Sequence, residues 1–202
     1  AHPLGPEVVA TLLRALERDP AAPIQALAAA GLGQLGAAEL LDAVPPTWFT
    51  STAADAAYQR ECAAIGWTLL GAAARVASGD LAQRTCDSAL ARLRAGLRGE
   101  QPELRYQCAA GLAEIEGRAA EADLVEALAR ETDPAVRAAL VHALGELDPP
   151  GPHACEVLAP LASDAHVPTA FAAALALTAA RDPRGGPQLL LALGRADDRG
   201  RA

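Results

Sequence analysis

Between residues 131 and 147 the apolar side chains Val136, Leu140, Ala143, Leu144 and Leu147 recur at intervals of three and four. That spacing puts all five on one side of an α-helix and leaves Ala138, His142 and Gly145 on the other. Asp133 and Pro134 stand just ahead of the run. Proline suits a first helical turn, where its missing N–H would have no partner. An aspartate before it can accept from the free N–H groups and faces the positive end of the helix dipole. The pattern therefore predicts a capped, half-buried helix.

The same pattern returns along the chain. Thirty-two residues earlier, Pro102, Leu104, Arg105, Cys108, Leu112 and Ile115 take the places of Pro134, Val136, Arg137, Leu140, Leu144 and Leu147. Thirty-one residues later, Val167, Phe171 and Leu175 fall at the apolar places, and near the start Ile24, Ala28, Leu32 and Leu35 do so. Four copies at matched spacing constitute a repeat, each an amphipathic helix, a short turn and a second helix. No segment alternates with period two, so the fold class expected is all-α. Helices are expected near 6–18, 21–35, 37–44, 55–77, 80–98, 102–116, 119–131, 134–147, 152–163, 166–181 and 186–195. They group into units at about 6–36, 37–78, 80–116, 119–148 and 152–181 with a closing helix at 186–195, in one repeat domain over 1–202.

The string Asp133-Pro134-Ala135-Val136-Arg137, its counterpart around Pro102 and "LGAAELLDAV" resemble the HEAT repeat, in the short bacterial form shared with phycobilisome-lyase-like repeats. The resemblance covers about three quarters of the chain and implies a right-handed α-solenoid of about five helix pairs. It also implies that Asp133, Pro134, Arg137, Pro102 and Arg105 serve the fold, capping helices and bridging neighbouring repeats. Second helices line the concave surface in such solenoids. The corresponding outward positions are Ala26, Ala30 and Gly33, then Tyr106, Ala110 and Ala113, then Ala138, His142 and Gly145, then Thr169, Ala173 and Ala176. This face is almost free of charge, which points to a docking groove for a partner segment, with Tyr106, His142 and Thr169 as its larger or polar contacts.

The second unit departs from the pattern. After "LGAAELLDAV" the chain runs through "PPTWFTST", an inserted loop at 45–54 that carries Trp48 and Phe49. Long insertions in regular arrays tend to serve function, which makes this pair a second candidate for partner binding. Trp67, Tyr58 and Phe171 lie on helical stripes and are expected in the core.

Composition narrows the function classes. Alanine supplies 52 of 202 residues while Lys, Asn and Met are absent, a bias of the kind a GC-rich bacterial genome imposes. The net charge of −8 argues against holding a phosphate backbone or docking on an anionic membrane. No stretch has the length and apolarity of a membrane span. A cytoplasmic location is expected, with a periplasmic mature chain or a part of a larger protein as alternatives. The four cysteines, Cys62, Cys86, Cys108 and Cys155, have no C-x-x-C spacing and read as buried thiols.

Catalytic signatures are missing. The histidines precede Pro3, Ala143, Ala154 and Val167, so none forms the His-Glu pairs by which HEAT-like hydroxylases hold iron. The sequence has no H-E-x-x-H, Walker loop or G-x-S-x-G. No catalytic residue, metal ligand or cofactor is assigned. The function expected is a non-catalytic scaffold or adaptor binding another protein. The alternatives are a lyase-like enzyme or subunit with a small molecule in the groove, and a structural segment of a larger protein.

Overall fold

The computed structural model describes residues 6–19, 24, 27, 28, 31, 32, 35, 54–76, 80–147 and 149–200. Among them the all-α expectation holds, since every regular element is helical. The elements are α1 (Pro6–Arg18), α2 (Ala54–Val76), α3 (Asp80–Leu97), α4 (Pro102–Glu116), a 3-10 turn (Gly117–Ala120), α5 (Glu121–Arg130), α6 (Pro134–Glu146), α7 (Pro152–Leu161), α8 (Val167–Ala179) and α9 (Gly185–Gly200). The expected helix 37–44, residues 45–53 of the expected loop with Trp48 and Phe49, and the outward residues Ala26, Ala30 and Gly33 lie outside the described residues, while Ala54 of that loop opens α2. The chain divides into two compact units, residues 1–115 and 116–202.

Unit 1 packs α2, α3 and α4 through small residues. Gly71 of α2 sits so close to Ala89 of α3 that an added Cβ would lie 3.1 Å from it, and Ile115 of α4 closes the same spot. Gly111 of α4 meets Thr68 and Leu93, and Gly96 of α3 meets Cys108 and Leu104. Trp67, Leu93, Leu104, Leu112 and Ile115 are fully buried and supply the volume that alanine lacks. The Arg92 guanidinium lies 4.5 Å from the centre of the Trp67 ring, a cation–π contact. Arg75 donates to the Ile115 carbonyl and ties α2 to the end of α4.

Unit 2 shows the repeat most plainly. Helix α5 packs on α6, α6 on α8, α7 on α8, and α9 on α8. On α6 the buried residues are Val136, Leu140, Val141, Ala143 and Leu144, with Leu147 buried just beyond. Gly117, at φ +53°, turns the chain between α4 and the 3-10 turn, a conformation that suits glycine. The helix expected at 119–131 accordingly starts as 3-10 and becomes α at Glu121.

The copy at 167–179 corrects the sequence alignment. Val167, Phe171 and Leu175 were expected at the apolar places, yet Phe171 is 37% and Leu175 44% exposed. The buried residues are Thr169, Ala170, Ala173, Ala174, Ala176 and Leu177. Aligning the helix caps, Asp133 with His166, gives an offset of 33 and matches every one of this set except Ala170 to Val136, Leu140, Val141, Ala143 and Leu144. Bulk misled the alignment because small residues fill the contact and the large ones are left outside. Ile24, also assigned to the core, is 43% exposed, whereas Ala28 and Leu32 are buried.

Candidate partner-binding surfaces

The turn before α6 is built from its own side chains. Asp133 Oδ1 accepts from the N–H groups of Ala135 at 2.9 Å and Val136 at 3.0 Å, and Pro134 occupies the first turn. Glu131, buried beside it, accepts from the N–H groups of Thr132 and Asp133, both at 2.9 Å. Arg137 then reaches across to the next repeat and donates to Asp164 Oδ2 at 3.1 Å. Asp164 in turn accepts from His166 N–H at 2.8 Å, so the rung positions the start of α8. Pro102 opens α4, and Arg105 donates to the carbonyls of Gly99 at 3.1 Å and Glu100 at 2.8 Å.

Two connections had no counterpart in the sequence reading. Gly151 caps α7 without a side chain, and Glu121 of α5 supplies the missing acceptor to Gly151 N–H at 2.9 Å and Ala154 N–H at 3.3 Å. Arg184 forks between Asp182 at 2.7 Å and Glu156 at 3.0 Å, joining the turn before α9 to α7. Hydrogen bonds from Arg184 hold the Asp182 carboxyl well below its ordinary range, at about 2, and the same bonds raise the Arg184 guanidinium. Glu121 to Gly151 and Arg184 to Glu156 each span about thirty residues of chain, which a search for recurring strings does not see.

The candidate contact residues separate into three fates. Tyr106 is 45% exposed on α4. His142 is exposed on α6, with Nε2 3.7 Å from Glu146 Oε1. Thr169 is fully buried, and its hydroxyl lies 2.9 Å from His166 Nδ1, so it offers nothing to a partner. Ala173 and Ala176, expected beside Thr169 on the outward face, are buried with it because α6 and α9 pack on α8. Trp48 and Phe49 lie outside the described residues.

Exposed apolar surface appears where the sequence reading did not place it. Leu190, Leu191 and Leu193 on α9 are 73, 62 and 48% exposed. Ala192, between them, is buried. Phe171 and Leu175 add an exposed i, i+4 pair on α8. By contrast the outward side of α5 carries the exposed Glu126–Arg130 pair. The residue signal was legible as three consecutive leucines, Leu189 to Leu191, more than one helix face can bury.

Among the described residues no group of three or more His, Cys, Asp or Glu is placed to hold a metal ion. Cys86, Cys108 and Cys155 are free and buried, and burial pushes the Cys108 and Cys155 thiols up, away from the reactive thiolate. Among the described residues no helix is long and apolar enough to cross a membrane. A family model described as HEAT repeats matches residues 90–178 and 121–202, together more than half of the chain. No curated protein matches the chain.

Proposed function

Since the chain belongs to the HEAT-repeat family, whose members generally mediate protein–protein interaction, we propose that it is a non-catalytic scaffold that binds an amphipathic helix of a partner protein. The observation that carries this reading is the outer side of α9, where Leu190, Leu191 and Leu193 stand 73, 62 and 48% exposed. Isolated apolar residues at a surface need no explanation, but a cluster of leucines on one helix does. The inner side of α9 already packs on α8. A partner helix laid on the outer side would bury leucines as each repeat buries its neighbour's. Tyr106 and His142, each exposed on a second helix, are further contacts in this reading, and so are Trp48 and Phe49. A repeat array with helices already formed loses little conformational freedom on binding.

The test is capture from native lysate by the wild type, by Leu190→Glu with Leu191→Glu, and by Tyr106→Ala with His142→Ala. The captured protein is then purified and its affinity measured directly. A partner lost with either double variant, at unchanged melting temperature, supports the scaffold and locates its surface. Binding unaffected by both double variants sinks this assignment of the surface.

A further inference from the structure

We infer that the rung joining Arg60 to Gln101 is a built-in point of opening in unit 1, where α2 parts from the start of α4 before the rest of the unit unfolds. Arg60 is 2% exposed. Its Nε donates to Gln101 Oε1 at 2.7 Å, an amide that carries no charge. Its Nη2 has no acceptor among the described residues, and neither has the indole N–H of Trp67, seven residues further along α2. Burial pulls the Arg60 guanidinium below the ordinary arginine range.

The rung that joins α6 to the start of α8 in unit 2 is of another kind. There Arg137 faces a carboxylate, Asp164, at 3.1 Å, and both side chains keep partial contact with water. A buried cation opposite a neutral amide gives up hydration without gaining a charge partner. Opening the α2–α4 rung returns Arg60 and the Trp67 N–H to water, whereas opening the α6–α8 rung breaks an ion pair. The first opening is therefore the easier, because there a buried charge faces an amide, whereas in unit 2 a part-exposed charge faces a carboxylate.

The inference is tested by amide hydrogen exchange on the full chain, read peptide by peptide. Arg60→Met keeps the length of the side chain and removes its charge. It is expected to slow exchange along residues 60–74 about tenfold, because a buried uncompensated charge is gone. Gln101→Glu, which supplies the missing charge, is expected to slow the same amides. Arg137→Met is expected to do the opposite in α6, speeding its exchange. Faster or unchanged exchange along α2 in either Arg60→Met or Gln101→Glu overturns the inference, as does failure of Arg60→Met to fold.

Discussion

Gly145 of α6 and Ala176 of α8 touch so closely that a Cβ added to the glycine would lie 2.9 Å from the alanine Cβ. The two helices thus meet with almost no side chain between them, an approach that residues of this size permit. In unit 2 part of the small-residue stripe on the second helices, Gly145 with Ala173 and Ala176, is a packing surface between repeats. Filling it should be costly. Gly145→Val is expected to destabilise the protein by about 1–3 kcal/mol, the usual penalty for overpacking a tight contact. A thermal melt that left Gly145→Val as stable as wild type would show that α6 and α8 do not meet here.

This contact also explains what the sequence made legible and what it hid. The α6 helix was readable because its core is large and periodic, with Val136, Leu140 and Leu144 marking the inner face and Asp133 marking its start. The α8 helix was misread by two residues because its inner face is mostly alanine, while Phe171 and Leu175 mimic a core stripe on the outside. Its cap gave a better guide than its bulk, since backbone N–H groups must be satisfied at every helix start. Thr169 went with that error: assigned to the groove, it is buried against His166. Glu121 and Arg184 were invisible for a different reason. Glu121 and, in its reach to Glu156, Arg184 act over about thirty residues of chain, a separation that cannot be read from one helix at a time.

Glu121 offers the cleanest test of those cross-repeat bonds. Its carboxylate accepts from two N–H groups at the start of α7, a helix whose own cap position is glycine. Glu121→Ala is expected to cost about 1–2 kcal/mol, the range for a lost cap. Adding Gly151→Asp to that variant is expected to recover part of the loss, because the cap is then local and the collision with Glu121 is gone. No recovery in a denaturant titration would mean that Glu121 acts by packing and not as a cap.

The end of α8 carries strain that can be removed. Arg181 holds a left-handed backbone at φ 57°, and the surrounding bonds run from Asp182 N to Leu177 O at 2.9 Å and from Arg181 N to Thr178 O at 3.0 Å. That pairing is the Schellman motif, in which glycine is the usual residue at this place. A left-handed residue with a Cβ costs roughly 1–2 kcal/mol. Part of the relief is returned through the greater freedom of glycine in the unfolded chain. Arg181→Gly is therefore expected to raise stability by about 0.5–1 kcal/mol, measured as a higher melting temperature. A lower one would show that the arginine side chain itself holds the turn.

Stability should fall in acid through the turn that follows. The Asp182 carboxyl is lowered from 3.8 to about 2 by its hydrogen bonds to Arg184, so the folded protein holds this proton less tightly than the unfolded chain. The contribution is therefore fully present above the ordinary carboxylate value and is lost as pH falls through about 2. Arg184→Ala removes the cause and should bring the Asp182 carboxyl back toward its ordinary value. The melting temperatures of wild type and Arg184→Ala are expected to differ most near neutral pH and to converge as the acid limb is descended. Because the Arg184 side chain is 40% exposed, added salt should shrink the gap in part as well. A gap that persisted undiminished to the acid end would place the effect of Arg184 in packing, not in its pairing with carboxylates.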